Sequence, residues 1–89
     1  MRWSAIEKTV FTPEYETFIK RLREAHQAAG LTQEEVAQRL GSYQRLVSRC
    51  LTGERRMDII EVRAFCKALN ISFSDFAVEL DRALAKLEG

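Results

Sequence analysis

Apolar residues recur at every third or fourth position along most of this sequence, a spacing that places them on one face of an α-helix. The pattern divides into five segments, and glycine or capping residues interrupt it at each joint. The 89 residues include only one proline and four glycines, too few for the many turns of an all-β fold. The sequence therefore predicts one all-α domain over residues 1–89, built from five helices.

Residues with short polar side chains mark where the helices begin. The expected N-caps are Thr12 before Pro13, Thr32, Ser42, Asp58 and Ser72. Glu35 and Glu61 each lie three residues after a cap, which is the spacing of a capping box. The residues expected to end helices in a left-handed conformation are Gly30, Gly41, Gly53 and Asn70. The third helix is expected to run to Leu51 or Thr52, and the fifth to extend as far as Leu87.

Residues 1–11 precede the first helix and are unusually apolar for a chain end. They contain Trp3, Ile6, Val10 and Phe11. We expect this N-terminal arm to pack against the domain or against a partner chain, and both a helical turn and an extended conformation fit its pattern. The arm has no long apolar run of the secretory type, and no stretch of the chain approaches the roughly 20 apolar residues of a membrane span. We therefore expect a cytoplasmic protein without membrane contact.

Residues that could support catalysis or metal binding are few. Cys50 and Cys66 occupy helical positions typical of small buried hydrophobes in a reducing compartment. One histidine and two widely spaced cysteines form no zinc-binding pattern. The sequence places no nucleophile beside a base. It thus predicts no metal site, no cofactor and no enzymatic activity.

Basic charge is concentrated in one segment. The net charge of the chain is only +1. Residues 39–56, however, contain five arginines and one glutamate, a local charge of +4. Residues 68–89 contain four acidic and two basic residues, a local charge of −2. Such an uneven distribution is expected of a protein whose basic segment meets phosphates.

The predicted third helix has two chemically distinct sides. At about 100° per residue, its polar side chains fall within an arc of about 140°. These residues are Gln44, Arg45, Ser48, Arg49 and Thr52, and the opposite side holds Tyr43, Leu46, Val47, Cys50 and Leu51. Glutamine can pair with adenine, and arginine with guanine, in the major groove of DNA. We interpret Gln44, Arg45, Ser48 and Arg49 as base-reading residues, with a plain solvated surface as the alternative.

The run "LTQEEVAQRLGSYQRLVSRCLTGERR", followed by "IIEVRAFCKALNIS", resembles the Cro/Xre-type helix-turn-helix family of phage-repressor-like DNA-binding domains. Several features agree: Gln33 opens the second helix, Ala37 is small where two helices would cross, Gly41 occupies the turn, and Val47 would face back at Ala37. The similarity covers roughly residues 18–76. It implies a helix-turn-helix over residues 33–52 within a compact, repressor-like five-helix domain.

The resemblance also implies roles for individual residues. Gln44 and Arg45 would be the leading base readers, with Arg49 next, and Gln33 would contact a phosphate and brace Gln44. The residues implied to contact phosphates or the groove edge are Gln33, Ser42, Tyr43, Thr52, Arg55 and Arg56. For Arg55 and Arg56 the alternative is a solvated loop, and for Gln33 a simple helix-start residue.

One pair of positions departs from the family pattern. Many members carry an arginine near the end of the first helix that pairs with a glutamate near the end of the recognition helix. The matching positions here hold His26 and Leu51. Both charges are absent together, which avoids a buried charge without a partner. We expect Leu51 to pack near His26.

Apolar residues along the fifth helix form one stripe: Phe73, Phe76, Ala77, Leu80, Leu84 and Leu87. Leu84 and Leu87 lie beyond what a compact five-helix domain needs. One interpretation is a homodimer interface formed by Leu80, Leu84, Leu87 and Trp3. The other is that the stripe covers Trp3 and Ile6 within one chain.

Two functions remain open from the sequence. The first is a sequence-specific regulator of transcription, most often a repressor in this family, whose homodimer would bind an inverted repeat of double-stranded DNA. The second is a protein-interaction module on the same fold, such as an antitoxin-like partner. The polar arc of the third helix distinguishes these two functions, because only DNA recognition requires its side chains.

Overall fold

The computed structural model describes residues 12–89 of the chain, and its regular secondary structure in that range is entirely α-helical. The helices are α1 Pro13–Ala29, α2 Gln33–Leu40, α3 Gln44–Thr52, α4 Ile59–Ala68 and α5 Phe73–Glu88. The predicted all-α fold of five helices is therefore confirmed. The N-terminal arm, with Trp3, lies outside the described residues.

Local capping chemistry sets most of the helix starts. The Thr32 hydroxyl accepts the Glu35 N–H at 3.1 Å, and the Glu35 carboxylate accepts the Thr32 N–H at 2.8 Å. Asp58 and Glu61 form the same reciprocal pair at 2.8 and 3.0 Å. Both predicted capping boxes are confirmed, as are the single-residue caps at the starts of α1 and α5, Thr12 and Ser72.

The start of α3 differs from the prediction. Its N-cap is Tyr43, and no side-chain hydrogen bond caps it. Ser42 was expected to cap this helix, but it lies one residue before the N-cap, and its N–H donates to the Ala37 carbonyl at 2.9 Å, which closes the end of α2. Helix α3 begins at Gln44, one residue later than a Ser42 cap would imply.

All five helices contribute side chains to one core. The side chains most completely excluded from solvent are Leu22, Val36, Val47, Cys50, Phe65 and Cys66. Phe18 of α1 and Phe76 of α5 meet edge to face, with ring centroids 6.2 Å apart. Both cysteines are buried, and burial raises the pKa of each thiol. They are small core residues, as predicted.

Two long-range polar contacts connect helices to neighbouring segments. The Arg39 guanidinium at the end of α2 donates to the Ala68 carbonyl at the end of α4, at 2.9 Å. The Tyr15 hydroxyl in α1 accepts the backbone N–H of Met57 at 3.1 Å, which fixes the loop between α3 and α4. His26 is half-buried and Leu51 is buried. Their expected contact stays a prediction.

The first turn of α4 is more exposed than its apolar sequence indicates. Ile59 and Ile60 are 68% and 72% exposed, whereas Val62 is the first residue of the helix to enter the core. The two isoleucines occupy the first two positions of α4, before its first core residue, Val62. Within residues 12–89, no helix combines the length and the apolar character needed to cross a membrane.

Acidification should destabilise the fold through its capping carboxylates. Hydrogen bonds from Thr32 hold the pKa of Glu35 below its ordinary value of 4.5, and the Arg55 guanidinium does the same for Glu61. A lowered folded-state pKa gives stability that is fully present above pH 4.5 and is lost as pH falls through the folded-state value.

We therefore expect Glu35→Gln to flatten the dependence of the melting temperature on pH below about pH 5. Glutamine keeps an oxygen for the capping box but has no proton to gain. Circular dichroism melts at several pH values measure this effect. Glu34→Gln is the matched control, since this exposed neighbour makes no capping bond in the described structure. Identical pH profiles for the two variants would contradict the assignment.

Candidate nucleic-acid interface

The turn between α2 and α3 is closed by backbone hydrogen bonds around Gly41. Gly41 has a φ of +67°, in the left-handed region. Its N–H donates to the Gln38 carbonyl at 3.1 Å, and the Ser42 N–H reaches Ala37 at 2.9 Å. This is the Schellman arrangement, which reverses the chain directly after a helix. The position favours glycine because a Cβ makes the left-handed conformation unfavourable.

One side of α3 is packed into the core. Val47, Cys50 and Leu51 are at most 5% exposed, and they belong to the same buried cluster as Val36 and Ala37 of α2. Helix α3 therefore cannot rotate about its axis without exposing these side chains to water. The packing fixes which residues face outward.

The opposite side of α3 faces solvent, as the sequence predicts. Gln44, Arg45, Arg49 and Thr52 are exposed, and Ser48 is half-buried. In the described part of the chain, the side chains of Arg45 and Arg49 make no hydrogen bond or ion pair, so their charges are available to a partner. The Thr52 hydroxyl donates to the Arg49 carbonyl at 3.1 Å.

Three further predicted site residues flank the start of α2 or α3. Tyr43 is 62% exposed and directly precedes Gln44, and Ser42 beside it is half-buried. Gln33 is the first residue of α2 and is half-buried. Gln33 and Gln44 share no hydrogen bond among the contacts of residues 12–89, and the bracing implied by the resemblance stays a prediction.

The two arginines of the loop after α3, Arg55 and Arg56, differ in their side-chain contacts. Arg55 donates to the Glu61 carboxylate at 2.6 Å, and a second nitrogen of its guanidinium lies 4.0 Å from the Cys50 sulfur. The Arg55 N–H also donates to the Arg49 carbonyl at 3.1 Å. Arg56 is exposed and has no side-chain partner within the described residues. Arg56 is therefore free to meet a phosphate, whereas Arg55 is already paired.

Sequence reasoning missed the residues that hold this basic loop in place. Glu61 was assigned only to a capping box, but its second carboxylate oxygen also binds Arg55, which lowers the pKa of Glu61. Tyr15 belongs to the apolar pattern of α1, but its hydroxyl also accepts the Met57 N–H. Arg39 was counted with the basic segment, but it binds a backbone carbonyl. Glu61 lies only six residues after Arg55, which is a weak sequence signal for their ion pair. The contacts of Tyr15 with Met57 and of Arg39 with Ala68 leave no signal in the sequence.

A separate apolar groove lies between α1, α4 and α5. Its volume is about 440 Å³, and the half-buried Leu80 and Leu84 line it together with Tyr15, Phe18 and Ile59. Leu87, another residue predicted at a dimer interface, is 50% exposed and is not among the groove residues. Trp3, the fourth predicted member, lies outside the described residues.

Comparison with known proteins agrees with this geometry. A family model for the helix-turn-helix domain matches residues 18–83. Among solved structures, an XRE-family like protein from Pseudomonas syringae pv. tomato str. DC3000 is 35% identical in sequence, with a TM-score of 0.79. The match covers 89% of this chain and 96% of that one. A search of curated proteins found no match.

A left-handed turn between two short helices, the second with one buried and one cationic side, defines a helix-turn-helix protein. Together with the matches over residues 18–83, it shows that the chain belongs to the Cro/Xre-type helix-turn-helix family. The protein is a DNA-binding regulator.

We expect Glu61→Gln to strengthen binding to random-sequence duplex DNA, because it releases the Arg55 guanidinium for a phosphate. One added phosphate contact should steepen the slope of log affinity against log salt by about 0.9. Fluorescence anisotropy across a salt series measures the slope. Glu54→Gln is the control, since it removes the same charge from the same loop without breaking an ion pair. Equal slopes for the two variants would show that the Arg55–Glu61 pair is irrelevant to binding.

Proposed function

We propose that this protein recognises a specific double-stranded DNA sequence by inserting the exposed side of α3 into the major groove, and that it represses transcription by occupying its site. The observation that carries the proposal is the division of α3. Its apolar side is buried, and its outer side presents arginines without partners in the described structure. A helix kept only for stability would not need unpaired cations at its outward positions.

The start of α3 carries the base-reading residues of this proposal. Gln44 and Arg45 occupy the first two positions of the helix, which reach the floor of the major groove first. Gln44 suits adenine and Arg45 suits guanine, each through two hydrogen bonds. Arg49 lies one turn later and reaches a base or a phosphate. Ser48 lies between Arg45 and Arg49 in the sequence, and its short side chain allows the helix to approach the bases closely.

Phosphate contacts hold the helix in register on either side of the groove. In this proposal they come from Gln33, Ser42, Tyr43, Thr52, Arg55 and Arg56. Arg56 contributes most among them, because its charge is unpaired in the described structure. Arg55 contributes less while Glu61 neutralises it.

We further propose that two copies bind together. A two-fold dimer places its recognition helices about 34 Å apart, one turn of DNA, and so reads an inverted repeat. Leu87, near the end of α5, is half-exposed and lies outside the apolar groove, which leaves it available to a second copy.

Selection from a random pool of duplex DNA tests the function directly. At about 0.15 M salt, where non-specific attraction is screened, the selected pool should converge on one inverted repeat. Recovery of a single half-site would support sequence reading but reject the dimer. Failure to enrich any sequence would overturn the proposal and favour a protein-interaction module, such as an antitoxin-like partner.

Two arginine variants should separate base reading from phosphate binding. We expect Arg45→Ala to lose about 1–3 kcal/mol of discrimination at one base position of the selected site. Arg56→Ala should instead weaken binding to all duplexes alike and lower the salt slope by about 1. Arg82→Ala, in the acidic C-terminal region, serves as the control and should change neither quantity. Competition titrations against singly substituted sites measure both effects. If Arg45→Ala and Arg56→Ala behave alike, the assignment of roles is wrong.

A further inference from the structure

The groove between α1, α4 and α5 is a strongly apolar concave surface. The rings of Tyr15 and Phe18 form its wall on α1, Ile59 that on α4, and Leu80 and Leu84 that on α5. Ile59 remains 68% exposed at its edge. The described part of the chain covers Tyr15, Leu80 and Leu84 only in part, whereas Phe18 is buried. A partly exposed apolar groove of this kind indicates a binding site.

The groove begins beside the point where residues 1–11 join the domain. Thr12 caps α1, and Tyr15, only three residues later, is already in the groove wall. Eleven residues span at most about 40 Å when extended. The described structure measures 37 Å along its longest axis. Every part of the groove is therefore within reach of this segment.

The composition of the N-terminal arm matches the groove. Large apolar residues make up five of its eleven positions: Met1, Trp3, Ile6, Val10 and Phe11. The arm also carries Arg2 and Lys8 against Glu7, a net charge of +1. The one charged residue in the groove lining is Asp81, an acid. Apolar side chains and a basic character are what a groove with an acidic rim would attract.

We infer that the N-terminal arm of the same chain binds in this groove and covers Ile59, Leu80 and Leu84. A tethered segment has an effective concentration in the millimolar range, so even a weak apolar contact is well populated. A second copy of the protein has no such advantage and must overcome the loss of translational freedom. This inference is independent of the proposed DNA sequence reading.

Trp3 is the only tryptophan in the chain, so intrinsic tryptophan fluorescence reports on the N-terminal arm alone. The experiment uses the full-length protein, with its mass measured by light scattering at each concentration. We expect the emission of Trp3 to be shifted to shorter wavelengths than in the unfolded chain. We also expect weak quenching by acrylamide, and both properties should persist on dilution to the monomer.

Ile59→Glu and Ile60→Glu form a matched pair of variants. The two isoleucines are neighbours at the start of α4 with similar exposure, but only Ile59 lines the groove. Glutamate at either position introduces the same charge near a helix N-terminus, which tolerates it. We expect Ile59→Glu to shift the emission of Trp3 to longer wavelengths and to increase quenching, whereas Ile60→Glu leaves both unchanged. Asp81→Asn, on the groove rim, should also increase the quenching of Trp3 by acrylamide, as Ile59→Glu does.

Three results would overturn the inference. The first is emission from wild-type Trp3 that already matches the unfolded chain. The second is an equal response to Ile59→Glu and Ile60→Glu. The third is weak quenching of Trp3 that becomes strong on dilution to the monomer, which would assign the groove to a second copy. Circular dichroism melts of both variants verify that each is folded, and none of these readouts requires DNA.

Discussion

The orientation of the recognition helix depends on one left-handed residue. Gly41 allows the chain to reverse immediately after α2, and the hydrogen bond from Ser42 to Ala37 closes that reversal. Only then can Val47 reach the core that α1 and α2 share. If the reversal took one more residue, α3 would present a different side to that core. The unpaired arginines on its outer side would then be displaced around the helix by about 100°.

The features that could be predicted from the sequence are those set by neighbouring residues. A capping box needs only two residues three positions apart, so Thr32 with Glu35 and Asp58 with Glu61 were identified from spacing alone. The two sides of α3 follow from helical geometry once its axis is assumed. Asn70 ends α4 with a φ of +61°, and its side chain type was a sufficient signal.

The remaining features could not be predicted because they depend on how neighbouring elements meet. Ser42 is an excellent capping residue, but the turn after α2 places it one residue before the start of α3, and Tyr43 takes the N-cap position without a side-chain bond. Glu61 can serve a cap and an arginine at once, because a carboxylate has two oxygens. Ile59 has the apolar side chain of a core residue, but it is the first residue of α4 and does not reach the core. Spacing rules describe one helix at a time and carry no information about contacts between neighbouring elements.

Tyr15 links two surfaces that have so far been described separately. Its ring lines the apolar groove, and its hydroxyl holds the Met57 N–H next to the basic loop. A rotation of this side chain that alters the groove also breaks the bond that positions the loop. The groove wall and the anchor of the basic loop therefore share one side chain, and a substitution that removes the Tyr15 ring would disturb both surfaces at once.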